Sequence, residues 1–260
     1  MHGLTVVAAT VFGLLVGSFL NVVIWRVPRG ESVVRPPSHC PSCDARIGAR
    51  DNIPVVSWFA LRGRCRGCHA RIPVRYPVVE AATAGLFAGF AVRFGPHPTL
   101  PAYLYFAAVG IALAVIDLDL RRLPNALTLP SYAVGLASLG AVALAQDLPF
   151  NLVRAVIGMA AMYFFYFVLV VAKPGAMGWG DVKLAGVIGL YLGFLGWDEL
   201  VVGAFSAFLL GGIVGIALMA IGSAGRKTKI PFGPYMVVGA FTAIFVGHSL
   251  AHWYLGFTVG

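Results

Sequence analysis

Charged side chains are scarce in this chain. Of its 260 residues, 11% are charged and 59% are apolar, whereas a soluble globular domain has roughly 25% charged residues. So few charges cannot cover a surface that faces water. The composition therefore excludes a soluble enzyme, a disordered protein and a disulfide-rich secreted domain. It indicates an all-α polytopic membrane protein, whose apolar side chains face lipid.

Acidic residues are the scarcest charged class. The chain has 10 Asp and Glu against 19 Lys and Arg, which gives a formal net charge of +9. Basic residues favour the cytoplasmic side of a membrane, so this excess is interpreted first as membrane topology. Nucleic-acid binding is the second interpretation.

Runs without Asp, Glu, Lys or Arg predict the membrane-spanning helices, each of which needs about 20 apolar residues. Six runs fit: residues 4–25, 94–116, 123–146, 155–172, 200–225 and 230–260. Two weaker candidates, residues 77–92 and 182–195, bring the expected number to about eight. The first run lacks a basic start and a typical cleavage site, so we expect a span rather than a removed signal peptide.

The basic residues are distributed unevenly over the loops between these spans. With eight spans, seventeen of the nineteen fall on one side, including Lys173, Lys183, Arg226, Lys227 and Lys229. Only Arg93 and Arg154 fall on the other side. The positive-inside rule then predicts that the loop of residues 26–76 is cytoplasmic and that both termini are extracytoplasmic.

The loop of residues 26–76 contains all four cysteines, as two CxxC pairs: Cys40 with Cys43, and Cys65 with Cys68. Two such pairs suit tetrahedral zinc, since each turn directs two thiolates at one ion. Two disulfides are the alternative, which a reducing cytoplasm disfavours. An insert this small has little core of its own, so a structural zinc site is the prediction.

Two histidines, His39 and His69, flank the cysteine pairs and are alternative ligands, although four thiols already complete the site. Arginine in this loop is mixed with proline and few aromatics, and topology accounts for it, so no nucleic-acid partner is predicted. The predicted division is a first membrane helix at 1–25, a zinc domain at 26–76 and a membrane core at 77–260.

Carboxylates in or beside a membrane helix are costly and are functional candidates by default. Four qualify: Glu80, Asp117, Asp119 and Asp181. Asp117 and Asp119 face opposite ways on a helix, being about 200° apart. Asp117 and Asp181 both fall at the predicted cytoplasmic ends of their spans.

Two carboxylates at one depth can share a proton, one acting as a general base on water while the other polarises a peptide carbonyl. This is the chemistry of aspartic proteases. The structural alternatives are that Asp117 pairs with Arg121 at i+4, and that Asp181 caps its helix.

The order of motifs along nearly the whole chain resembles the type IV prepilin peptidases, also called leader peptidases, which are GxGD-type membrane aspartic proteases. The matching segments are residues 17–28 (GSFLNVVIWRVP), the CxxC pairs, 52–58 (NIPVVSW), 75–80 (RYPVVE), 116–125 with its LPN, 178–184 (GWGDVKL) and 230–234 (IPFGP).

The resemblance implies that Asp117 and Asp181 are the catalytic pair and that Asp119 is not part of it. It implies cleavage of the basic leader of prepilins or pseudopilins at the cytoplasmic face of a bacterial inner membrane, after a glycine. Versions with the cysteine domain also methylate the new N-terminus with S-adenosylmethionine. The residues that bind the methyl donor are not identified, and the roles of Glu80 and Lys183 stay open. Membrane lipid is a further expected partner, with Lys183 as an anchor or a contact for anionic lipid.

A non-catalytic transporter or assembly factor with a zinc-stapled loop is the alternative function. Its intramembrane acids would then line a path for protons or ions.

Overall fold

The computed structural model describes residues 2–173, 175, 177–222 and 230–259, with only the backbone for 255 and 257–259. Its α-helices are α1 (His2–Arg26), α2 (Val56–Ala60), α3 (Arg75–Phe94), α4 (Leu100–Leu120), α5 (Asn125–Ala145), α6 (Pro149–Ala172), α7 (Trp179–Leu195), α8 (Trp197–Ala220) and α9 (Gly233–Val259). Within these described residues there is no β-strand, only two isolated β-bridges in the cysteine loop.

Seven of the helices in the described part of the chain are long and apolar enough to cross a membrane: α1, α3, α4, α5, α6, α8 and α9. The remaining predicted span, residues 182–195, corresponds to α7, which has 17 residues. The all-α membrane fold is therefore confirmed.

Helices α6 and α8 begin before their charge-free runs, because each includes charged residues that the runs exclude. Helix α6 includes Arg154, whose guanidinium donates hydrogen bonds to the last carbonyls of α7, at Gly193 (2.6 Å), Phe194 (2.8 Å) and Leu195 (2.7 Å). Helix α8 carries two carboxylates in its first turn, where the helix dipole favours negative charge. The predicted cytoplasmic residues 226, 227 and 229 lie outside the described residues.

The chain divides into two compact units, Met1–Ala112 and Leu113–Gly260, with the boundary inside α4. The three-part division at residues 25/26 and 76/77 stays a prediction. In the first unit, α1 and α3 run antiparallel at close range. A Cβ at Gly13 would lie 2.8 Å from Ala84 Cα, and one at Gly17 would lie 2.7 Å from Glu80 Cα. Small residues at these positions let the backbones approach.

Helix α7 lies at the centre of the second unit, in contact with α5, α6, α8 and α9. Every residue from 184 to 194 is buried. Its contact with α6 depends on glycine, because a Cβ at Gly158 would lie 2.7 Å from the Gly189 oxygen. This packing fixes the helix whose first turn carries Asp181.

Candidate functional site

The two CxxC pairs form two turns of the same design. In the first, the Cys40 N–H donates to the Ala45 carbonyl (2.9 Å) and the Asp44 N–H donates to the Cys40 carbonyl (2.9 Å). The second turn repeats both bonds around Cys65, at 2.8 and 3.1 Å. Asp44 and His69, which follow the second cysteine of each pair, both have positive φ, 54° and 59°. The repeated turn directs two thiols from each pair to one point.

All four cysteines are free thiols, and their sulfurs lie within 4.8 Å of one another. The Cys40 and Cys68 sulfurs are 3.8 Å apart. A tetrahedral zinc ion with Zn–S bonds of about 2.3 Å requires S–S separations of about 3.8 Å. The four residues therefore fit a zinc ion, while His39 and His69 are not among the grouped ligands.

Backbone N–H groups of Cys68 and Gly67 hydrogen-bond to the Cys65 thiol and lower its pKa to about 7. A thiolate is the form that binds a metal ion, so the second turn favours the ligating state of Cys65. An exposed ion pair links Arg66 of the second turn to Asp51, with an Nη2–Oδ1 distance of 2.7 Å.

Glu80, whose role the sequence left open, connects α3 to the 52–58 segment of the loop. Its Oε2 accepts the Val55 N–H at 2.6 Å, and the Ser18 side chain also hydrogen-bonds to it. Val55 has φ 62° and ψ −52°, and the next N–H, of Val56, donates to the Pro54 carbonyl (2.6 Å). This is a γ-turn that a β-branched residue adopts only under strain. The buried Glu80 carboxylate therefore holds the strained turn against α1 and α3.

Asp117 lies in the last turn of α4 and is 5% exposed. Its Oδ2 accepts the N–H of Gly233, the first residue of α9, at 3.0 Å. The first N–H groups of a helix have no partner within the helix, so α9 has a free donor at this point. Arg121, the predicted pairing partner, contacts Asp117 through its backbone N–H, which donates to the Asp117 carbonyl (2.8 Å).

Asp181 lies in the first turn of α7 and is 7% exposed. Its Oδ2 accepts the N–H of Gly178, the N-cap residue, at 3.0 Å, while its own N–H donates to the Gly178 carbonyl (3.1 Å). Asp181 therefore takes part in capping its helix from the N3 position, and Gly178 is the N-cap residue. The capping hydrogen bond involves only Oδ2 of the carboxylate.

One leucine, Leu123, contacts the glycines next to both aspartates. A Cβ at Gly180 would lie 2.9 Å from Leu123 Cβ, and one at Gly233 would lie 3.4 Å from Leu123 Cδ2 and 2.9 Å from Asp117 Oδ2. The charge of Asp117 also acts on Asp181 electrostatically. The structure thus brings the end of α4 and the starts of α7 and α9 to one site, with both aspartates in it.

Asp119 and Lys183, two charged residues close to the aspartates in sequence, have different surroundings. Asp119 is exposed, unlike Asp117 two residues earlier. Lys183 donates from its Nζ to Asn125 Oδ1 (2.9 Å), and its backbone carbonyl accepts the Tyr132 hydroxyl (2.6 Å). Lys183 therefore joins the start of α5 to α7.

Two residues of this site were not identified as functional from the sequence. Gly233 belongs to the matching segment 230–234, which by itself assigns it no role. Tyr166 belongs to an apolar run of α6 that has no polar pattern. It is 0% exposed, and its hydroxyl has no hydrogen-bond partner among the described residues. Its ring lies 6.3 Å from that of Phe232, and it interacts electrostatically with Asp181.

The cysteine site yields a test by metal analysis. We expect about one zinc ion per chain in the purified protein. Cys40→Ser should lose this zinc and make the loop of residues 26–76 sensitive to protease, because the metal supplies much of its folding free energy. His39→Ala and His69→Ala are the matched controls and should retain zinc. A protein without zinc, or one with its cysteines in disulfides, would contradict the assignment.

Comparison with known proteins gives two family matches. Residues 11–94 match the bacterial peptidase A24 N-terminal domain, and residues 104–216 match the type IV leader peptidase family. No solved structure matches the chain.

Three similar proteins carry the name prepilin leader peptidase/N-methyltransferase. That of Aeromonas hydrophila is 38% identical, over 94% of this chain and 91% of its own length. That of Stutzerimonas stutzeri is 37% identical, over 97% and 94%. That of Pseudomonas aeruginosa is 36% identical, over 98% and 96%. The resemblance drawn from the motif order is confirmed, and the chain is an enzyme that belongs to the type IV leader peptidase family.

Proposed function

We propose that this chain removes the leader peptide of type IV prepilins or pseudopilins, with Asp117 and Asp181 as an aspartyl dyad. We further propose that it methylates the new N-terminal residue with S-adenosylmethionine as the methyl donor. The names of its relatives support both activities. The observation that supports the dyad is that both buried aspartates lie beside glycines that pack against the same residue, Leu123.

Each aspartate is anchored through one oxygen. The Gly233 N–H fixes Oδ2 of Asp117, and the Gly178 N–H fixes Oδ2 of Asp181. Among the described residues, Oδ1 of neither carboxylate accepts a hydrogen bond, so both are left for water and substrate. A carboxylate that is already held in position needs little reorganisation when the reaction begins.

The proposed cleavage needs one ionised and one protonated aspartate. The ionised carboxylate takes a proton from water as its oxygen attacks the peptide carbon, and the protonated one gives its proton to the carbonyl oxygen. The C–N bond then breaks as the leaving nitrogen receives the proton held by the first aspartate, and a hydroxyl of the tetrahedral intermediate returns a proton to the second aspartate. Each atom and proton is thereby accounted for between the two residues and water.

The proposed substrate geometry follows from the depth of the dyad. Asp117 lies in the last turn of α4 and Asp181 in the first turn of α7, at the helix ends that the charge distribution predicts to be cytoplasmic. A prepilin would keep its apolar helix in the inner membrane and its basic leader in the cytoplasm. Anionic lipid would then reduce the repulsion between the leader and the basic loops.

Two observations support the proposed methyl transfer. The relatives are named N-methyltransferases, and the chain has the four-cysteine loop with a geometry suited to zinc. The proposed zinc is structural, since four thiolates leave no open coordination position for substrate. The methyl donor is not assigned to particular residues.

Variants of the aspartates test the dyad. Asp117→Asn and Asp181→Asn should each abolish cleavage of a synthetic prepilin leader, because neither can supply both a base and an acid. Asp119→Asn is the matched control and should cleave normally. Cleavage that persists in either dyad variant would refute the assignment. Loss of cleavage in Asp119→Asn would show that Asp119 is needed as well as the proposed pair.

Gly233→Ala tests the anchoring of Asp117. The added Cβ would lie 2.9 Å from Asp117 Oδ2, so the carboxylate must move. We expect kcat to fall by roughly a hundredfold, comparable to misplacing a catalytic group by about 1 Å. Gly140→Ala, where a Cβ meets no atom within 4 Å, is the control. Equal activity of both variants would show that the Gly233 contact is unimportant.

Tyr166→Phe tests the role of the buried Tyr166 hydroxyl. We propose that this hydroxyl donates a hydrogen bond to the substrate carbonyl oxygen as negative charge develops on it. Its loss should lower kcat by roughly a hundredfold with little change in KM. Tyr163→Phe, three residues earlier on α6, should leave kcat unchanged. A Tyr166→Phe enzyme with normal kcat would exclude this role.

A further inference from the structure

Three potential metal ligands meet in the second unit, away from the aspartate site in sequence: Asp198, His248 and His252. Their nearest ligand atoms all lie within 4.8 Å of one another. Asp198 Oδ2 is 3.1 Å from His248 Nδ1 and 3.8 Å from His252 Nε2. The two imidazole rings have centroids 4.3 Å apart.

The fold holds these residues together through two regular helices. His248 and His252 are four residues apart on α9, so they lie on one face, one turn apart. Asp198 is in the first turn of α8. A Cβ at Gly247 would lie 3.1 Å from Glu199 Cα, so the two helices approach closely beside the cluster.

We propose that Asp198, His248 and His252 bind a zinc ion in addition to the one expected at the four cysteines. Zn–N and Zn–O bonds of about 2.1 Å in a tetrahedron require ligand atoms about 3.4 Å apart. The two distances from Asp198 bracket that value. A His₂Asp set leaves the fourth position to water, and imidazole nitrogen favours zinc over calcium or magnesium.

The residues lie on the side that the charge distribution predicts to be extracytoplasmic. Their side chains are accessible, with 64% exposure for each histidine and 36% for Asp198. Zinc could therefore reach the site directly from solution. Bound zinc would join the first turn of α8 to α9, whose other end supplies the Gly233 N–H to Asp117.

The competing arrangement is an ion pair between Asp198 and a protonated histidine, with no metal. The two differ in their response to added zinc. An ion pair predicts no binding, whereas the metal site predicts one zinc ion per chain beyond the ion at the four cysteines.

The test is equilibrium dialysis of the full chain against Zn²⁺ in lipid nanodiscs, with no polyhistidine tag, followed by metal analysis. The native protein should take up the additional zinc, and His248→Ala, His252→Ala or Asp198→Asn should weaken its binding by roughly tenfold or more. His97→Ala, whose imidazole hydrogen-bonds to Thr99, is the matched control and should keep it.

The zinc at the four cysteines reports folding in each variant, since it should stay at one ion per chain. No additional zinc in the native protein, or additional zinc that survives all three substitutions, would overturn the proposal. Both outcomes leave the peptidase proposal intact, because neither involves the aspartates.

Discussion

The hydrogen bond from the Gly233 N–H to Asp117 is the contact on which the candidate active site depends. A carboxylate surrounded by apolar side chains is costly unless donors satisfy it. Helix N-termini supply such donors, since their first N–H groups lack partners within the helix. The start of α9 serves Asp117, and the start of α7 serves Asp181. The fold therefore has to bring two helix N-termini to the end of α4.

Glycine makes this convergence sterically feasible. Gly180 and Gly233 let Leu123 lie against both helix starts, and Gly158 lets α6 approach α7. The Arg154 guanidinium holds the opposite end of α7 through three carbonyls. A helix held at both ends and buried along 184–194 gives Asp181 a fixed position. Preorganisation of this kind, rather than an unusual side chain, is what the fold would contribute to the proposed cleavage.

The sequence predicts the parts of this architecture that depend on composition and local spacing. Charge-free runs identify the membrane helices, and the CxxC spacing identifies the cysteine cluster, because both reflect short-range chemistry. It does not predict that Arg154 lies inside α6, since the partners of Arg154 are carbonyls about 40 residues later. It likewise does not reveal Gly233 as a donor to Asp117, 116 residues away, or a buried Tyr166 hydroxyl that has no partner in the described part of the chain. These features arise only from tertiary packing.

The most direct test of the account is mass spectrometry of the N-terminus of a prepilin co-expressed with this chain. The account predicts a pilin whose leader is removed after the glycine and whose new N-terminal residue carries one methyl group. A cleaved but unmethylated pilin would contradict the methyltransferase half alone. A prepilin that keeps its whole leader beside a folded, zinc-loaded chain would contradict the central claim.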